Sequence, residues 1–266
     1  MAPNSIREPG SFIVLLTACI EPKAGVRDRL TRSDPGIRLG DYREGLEFWL
    51  SLAEPLIGGI VFADNSNYPL GELKECAAGS ARADRPVEFL SFDFPAPAMG
   101  LSYGQSEFLL VNRALKESRL LCQGRYFIKA TGRYRFPYIS RLLRRLPADF
   151  LVAADSKGFR PFGFRSNPIT CVALAIFDRR FFEAELLNMP MTMAPAPPWN
   201  RRQFIEPVLF DSLNRMRSDP RIIMRWPCNC EPIGVGSNGD VYRGLRKNFQ
   251  YAMRGLSRRL WPQLWI

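Results

Sequence analysis

The stretch Tyr126-Phe127-Ile128-Lys129-Ala130-Thr131-Gly132-Arg133-Tyr134-Arg135-Phe136 starts as a strand and ends as a cationic turn. Aromatic and β-branched residues with no breaker favour extended chain. At Thr131-Gly132 a glycine lets the backbone turn or approach a ligand closely. Lys129, Arg133 and Arg135 gather at that turn. A strand end with glycine and several cations suits a phosphate group, but the same residues also describe an edge strand with a solvated basic face. The order of elements around the stretch decides between them.

Upstream, Ser11–Ile20 is an unbroken apolar run of strand length, as expected of a strand buried on both faces. Glu21–Gly40 reads as a loop. A helix opens at Asp41 as N-cap and carries the stripe Leu46, Trp49, Leu50 and Ala53 up to Pro55. Ile57–Ala63 is a second buried strand, ending in the polar turn Asp64-Asn65-Ser66-Asn67. Then come a helix (Leu70–Ala78), a strand (Val87–Phe92) and a long helix (Ser102–Leu121) that feeds into the opening stretch. This alternation predicts an α/β fold with a mostly parallel central sheet flanked by helices. Ligands of such sheets bind beyond the carboxyl ends of the strands. The ends concerned are Thr17–Glu21, Asp64–Asn67 and Thr131–Arg135.

Downstream, the pattern gives a basic helix (Tyr138–Leu146), a strand (Phe150–Ala154) ending at Asp155, a strand (Cys171–Phe177) and a helix (Arg179–Leu187). Residues 188–200, rich in Met and Pro, read as a loop or lid. A helix over Arg202–Asn214 contains Glu206, and a short strand covers Ile222–Trp226. Ile233–Asp240 is a Gly/Ser/Asn loop containing Gly236 and Ser237, and Val241–Trp265 is a basic helix broken at Pro262. The expected organisation is a flexible tail over 1–10, a single domain over 11–240, and an amphipathic helix over 241–266.

A net charge of +11 over 266 residues calls for an anionic partner: nucleic acid, membrane surface or phosphorylated substrate. Histidine is absent, which removes Ser-His-Asp and Cys-His catalysis and imidazole metal ligands. Proton transfer falls to Asp, Glu, Lys, Tyr or the substrate. The cysteines are scattered, and Cys228/Cys230 is not a paired C-x-x-C zinc pattern. They suit free thiols in a reducing cytoplasm. The longest early apolar run, Phe12–Ile20, is too short to span a bilayer.

Four segments in this order, Phe12–Ile20, Ile60–Ser66, Gly104–Ser118 and Phe127–Tyr134, resemble the nucleotide-sugar half of GT-A glycosyltransferases, especially bacterial enzymes of capsule and O-antigen assembly. They cover roughly half the chain. The resemblance implies a GT-A-like fold with a nucleotide-sugar half over 11–136 and an acceptor half over 137–240. It places Asp64, with Asn65 and Ser66, on the base or ribose, although an Asx-turn closing the strand fits Asp64 equally. It brings Thr17 near the nucleotide, against the alternative of a core threonine bonded to backbone. Many members of the family end the strand after the long helix in an Asp-x-Asp that binds a divalent metal. Here Ala130-Thr131-Gly132-Arg133 stands there, and no Asp-x-Asp occurs in the chain. Lys129, Arg133 and Arg135, with Thr131 and Gly132, are therefore expected to neutralise the diphosphate with no required metal cofactor. The alternative is a divalent metal with Asp155 as its ligand.

Further roles follow. Glu206, set between apolar residues, is a candidate base with a raised pKa; the helix N-terminus can also account for it. Asp155 either orients the acceptor or is a loop carboxylate. The Gly236-Ser237 loop can cradle phosphate through its amides. The partners implied are a nucleotide-sugar donor, a UDP-sugar foremost, and a lipid-linked or polysaccharide acceptor. Arg243 to Trp265 suits an anionic membrane at the cytoplasmic face. No nucleic-acid partner is expected, although a basic nucleic-acid-binding protein without catalysis is the rival reading of the charge. A sugar-phosphate nucleotidyltransferase would show a Gly-rich loop and basic run after the first strand, and neither is visible.

Overall fold

The computed structural model describes residues 7–28, 30–80, 85–97, 101–158, 167–195, 201–236, 239–242, 244–261 and 264–265. In chain order the elements are β1 (Phe12–Ala18), α1 (Ala24–Arg27), α2 (Pro35–Ser51), β2 (Ile57–Asp64), α3 (Gly71–Ala78), β3 (Val87–Ser91), α4 (Tyr103–Glu117), α5 (Arg119–Gln123) and β4 (Tyr126–Thr131). Then follow α6 (Ile139–Arg145), β5 (Val152–Lys157), β6 (Ile169–Asp178), α7 (Arg179–Phe181) running into a π-helical turn over Phe182–Leu186, α8 (Ile205–Arg215), β7 (Ile222–Ile223) and α9 (Leu245–Leu260).

Among the described residues, seven strands form a single sheet in the order β3-β2-β1-β4-β6-β5-β7. β1 pairs in parallel with β2 and β4, β2 with β3, and β5 with β7; β6 runs antiparallel to both its neighbours. The expected mostly parallel α/β sheet is present. β1 lies inside it, between β2 and β4. Phe12, Val14 and Leu16 face a core shared with α2, α3 and α6, while Ile13 and Leu15 face a second core shared with α4, α5 and α8. Burial on both faces is why β1 reads as a continuous apolar run rather than an alternating one. Because β6 is antiparallel, its first residues, Ile169–Ala173, lie beyond the carboxyl end of β4, where Ala130 pairs with Leu174.

Several boundaries differ from the sequence reading, each for a local reason. α2 starts at Pro35, not after Asp41. Asp34 caps it by accepting a 2.8 Å bond from Ile37 N, with Pro35 supplying the preset φ of a first helical residue. Asp41 instead holds Arg32 in a two-bond ion pair, 2.5 and 2.6 Å. The helix expected over Ser102–Leu121 breaks at Ser118. Its hydroxyl accepts from Leu121 N at 3.0 Å and donates to Glu88 Oε2 at 2.5 Å, so α5 restarts with a fresh cap. β5 extends through Asp155 to Lys157, so that carboxylate sits within the strand rather than after it.

Candidate functional site

A cavity of 710 Å³ opens at the carboxyl ends of β1, β2 and β4. Its wall includes Thr17, Ala18 and Cys19 from the end of β1, Asn65 and Ser66 after β2, and Thr131 and Arg133 at the end of β4. The antiparallel β6 adds Cys171, Val172 and Ala173, and α8 adds Glu206 and Pro207. The cavity thus stands where an α/β sheet is expected to receive a ligand.

The turn after β4 is locked by close packing. Gly132 N donates to Thr17 O (2.9 Å) and Tyr134 N to Thr131 O (3.0 Å). Gly132 is not in a left-handed conformation. Its missing side chain matters because a Cβ would meet Thr17 O at 3.1 Å and Tyr42 at 3.2 Å. The tighter constraint comes from α2, where a Cβ on Gly45 would lie 1.9 Å from Gly132 O. Gly45→Ala is therefore expected to push α2 away from the turn at a cost of about 1–3 kcal/mol or more. A thermal melt showing no loss would contradict this packing.

Behind the turn sits a buried ionic centre. Glu107, on α4, takes all its bonds on Oε1: from Lys129 Nζ at 2.6 Å, Thr17 Oγ1 at 2.7 Å and Thr131 Oγ1 at 2.9 Å. Lys129 also donates to Val172 O at 2.5 Å. Burial works to raise the Glu107 pKa, but the Lys129 charge and these hydrogen bonds outweigh it and hold the carboxyl below its usual range. Lys129 is fully buried and absent from the cavity wall, so it balances Glu107 rather than a ligand phosphate. Thr17 lines the cavity and is bonded inward, to Glu107 Oε1 at 2.7 Å, with Ala130 O at 3.3 Å as the backbone contact expected of a core threonine. Glu107 was missed from sequence. Its signal was there: a carboxylate on the helical stripe shared with Leu110, Val111 and Ala114, all of them core residues.

Other expected residues separate. Asp64 is fully buried, and its carboxylate accepts from Ile20 N (2.9 Å), Ser66 N (2.8 Å), Ser66 Oγ and Tyr68 N (3.3 Å). It fastens the end of β1 to the end of β2, so the turn-closing role is the observed one; burial lifts its pKa above the ordinary range. Arg135 leaves the site: it pairs with Glu44 on α2 at 3.1 Å, and its backbone bridges Ile233. Asp155 is also absent from the cavity wall and is held by Arg258 of α9 at 2.7 Å and by Trp226 N at 3.3 Å. Gly236 spends its amide on Asp240 O at 2.7 Å and does not line the cavity, while Ser237 lies outside the described residues. The glycine loop instead positions Tyr242, whose N donates to Gly234 O at 3.0 Å and whose ring meets Tyr134 at 5.3 Å on the wall.

Asn65, Ser66, Arg133 and Glu206 remain on the wall. Asn65 is 9% exposed, and its Oδ1 is buried with no hydrogen-bond partner; Ser102 Oγ on the same wall is in the same state. A buried acceptor without a donor is costly unless a ligand supplies one. Burial, aided by the Glu107 charge, raises the Glu206 pKa. Burial likewise keeps the Tyr42 and Tyr134 phenols and the Cys19 thiol (pushed up to about 11) neutral. Glu107 and Glu206 thus face one cavity with their pKa values pushed in opposite directions, an arrangement that sets apart a carboxylate favoured in its ionised form from one that takes up a proton more readily. Cations on the wall are Lys23, Arg38, Arg133 and Lys157. Arg38 is committed to Cys19 O at 2.5 and 2.8 Å. Among the described residues no cluster of three or more His, Cys, Asp or Glu side chains is grouped to hold a metal ion.

No protein-family model and no curated protein matches the chain. Solved structures with some likeness include a mannosyltransferase from Pyrobaculum calidifontis in complex with GDP-Man and Mn2+, at 15% identity and a TM-score of 0.43 over 73% of this chain; this chain covers 55% of that one. A 4-diphosphocytidyl-2C-methyl-D-erythritol synthase from Anaerococcus prevotii aligns at 10% identity and a TM-score of 0.46, over 91% of this chain and 95% of that one. Core-mannan synthase A from Aspergillus fumigatus, in its Mn/GDP form, aligns at 9% identity and a TM-score of 0.47, over 97% and 87%.

Proposed function

We propose that the chain is a nucleotide-sugar-dependent glycosyltransferase that moves a sugar, foremost from a UDP-sugar, to a hydroxyl of a lipid-linked or polysaccharide acceptor in cell-surface glycan assembly such as capsule or O-antigen. One observation carries the reading: a single cavity at the ends of the parallel strands is lined together by the buried, unpartnered Asn65 Oδ1, by Arg133 and by Glu206 with its raised pKa. Asn65 accepts a hydrogen bond from the base or ribose. Arg133 takes the diphosphate, offsetting the leaving-group charge as the glycosidic bond breaks. Glu206, in its ionised form, removes the proton of the acceptor hydroxyl, its raised pKa making the carboxylate a stronger base. The nucleotide half is 11–136 and the acceptor half 137–240.

A thermal-shift panel of UDP-, GDP-, CMP- and dTDP-linked sugars tests the reading. A donor at about 100 times its Kd stabilises by about 2.7 kcal/mol, roughly 5 °C or more in a chain of this size. No shift with any donor would count decisively against it. Neutralisation by guanidinium predicts that the shift and turnover survive EDTA; activity lost in EDTA and restored by manganese would transfer that task to a metal. Glu206→Gln is expected to lower kcat by about 10²–10⁴-fold with donor affinity kept. Because the base must be ionised and its pKa is raised, the acid limb of the wild-type kcat/KM profile should lie above the usual carboxylate range. An unmoved limb in the Gln variant would remove Glu206 from the chemistry.

A further inference from the structure

The last helix is built inside out. Its seam with the body is polar: Arg254 pairs with Glu231 at 3.0 Å, Arg258 with Asp155 at 2.7 Å, Arg225 donates to Ser257 Oγ at 2.8 Å, and Asn229 donates to Tyr251 O at 2.7 Å. Arg254 and Ser257 are its buried residues. Its apolar residues face away: Leu245 is 91% exposed, Phe249 70%, Leu256 46% and Leu260 56%, with Met253 at 39% and Trp261 at 60% just beyond the helix. At about 100° per residue, Leu245, Phe249, Met253, Leu256 and Leu260 fall within an arc of about 80°. Large exposed apolar stripes of this kind mark interaction surfaces.

Charge identifies the occupant. Arg246 and Arg259, both exposed, border the stripe on its two sides, and no acidic residue follows Asp240. The carboxylates that meet this helix, Glu231 and Asp155, are already spent on Arg254 and Arg258 across the seam. A second copy laid stripe to stripe would bring the bordering arginines together with no acid on the helix to match them. A layer of anionic headgroups over acyl chains satisfies both the stripe and its borders.

We infer that α9 is an interfacial anchor that lies in the surface of an anionic membrane, with Leu245, Phe249, Met253, Leu256, Leu260 and Trp261 inserted and Arg246 and Arg259 at the phosphates. Tyr242, just before the helix, lines the cavity, so docking sets the cavity beside the lipid surface. The membrane-borne acceptor belongs to the glycosyltransferase reading; the anchor stands on the helix surface, and its test leaves the donor aside.

The test is cosedimentation of the full chain with vesicles of phosphatidylcholine alone and of phosphatidylcholine with 30% phosphatidylglycerol. Binding is expected only with the anionic vesicles and should weaken as salt rises. Arg246→Gln and Arg259→Gln should each weaken it about fivefold. Phe249→Asp/Leu256→Asp should weaken it about tenfold or more, since two apolar side chains leave the membrane. These positions are exposed, so an unchanged melting temperature confirms folding. No vesicle binding, equal binding to neutral vesicles, or binding untouched by Phe249→Asp/Leu256→Asp would overturn the inference. So would a dimer in light scattering that the same variant dissolves, which would give the stripe to a second copy. A donor-induced thermal shift in a chain that ignores vesicles would sink the anchor and leave the transferase standing; the converse pair of results would do the reverse.

Discussion

Arg133→Ala is expected to reduce sugar transfer by about 10²–10³-fold while leaving the fold intact, the loss typical when one preorganised charge-stabilising group is removed from a water-poor site. Arg133 sits on the turn after β4, on the wall of the cavity, with its guanidinium 5.3 Å from the centre of the Tyr134 ring. The turn itself is held by backbone bonds and by the Gly45–Gly132 contact, neither of which uses the arginine side chain. The measurement is kcat with saturating donor, alongside a melting curve. Lysine at this position should recover only part of the rate, because an ammonium cannot reproduce the two-pronged guanidinium contact with phosphate oxygens. Full activity in Arg133→Ala would remove the electrostatic centre of the proposed mechanism.

Lys129→Met should be the most destabilising single change at the site. It leaves Glu107 as a buried carboxylate without its counter-ion and strips Val172 O of its donor. Breaking a buried pair from one side costs about 3–5 kcal/mol, or about 10 °C in a chain of this length. Lys129→Met with Glu107→Gln should regain much of the loss, since no charge is then left unpaired. The pH dependence follows from the direction of the Glu107 shift. A carboxyl whose folded pKa is depressed contributes its full stability above the unfolded value and loses it as pH falls through the folded one. The double variant should therefore lose this part of the wild-type acid sensitivity. A double variant as unstable as Lys129→Met alone would show that packing, not charge pairing, governs the centre.

The fold was readable because its evidence is local and repeated. Apolar runs at β1 and β2 and the alternation of strands with helices fixed a parallel sheet, and that sheet in turn located the cavity. The site was readable only where a residue's place in the sheet decided its role. Arg133, Asn65 and Glu206 reached the wall as the order of elements implied. Lys129, Arg135, Asp64 and Asp155 did not, and for a common reason: each found a partner distant in sequence, Glu107, Glu44, Ile20 N and Arg258 respectively. Long-range pairing consumes charges that a linear reading leaves available. Asp34 and Ser118 moved helix ends for the opposite reason, since a short-range cap can be read from sequence only once the helix start is known.

The polar seam under α9 has a calorimetric consequence. Unfolding of the α/β body exposes buried apolar surface and raises the heat capacity, whereas parting the helix from the body exposes mainly ionic and amide groups, which lower it. The helix should therefore come away with little or no positive heat-capacity increment. A calorimetric trace would report the body alone, and release of the helix would show only in a probe placed on it, such as the fluorescence of Trp261.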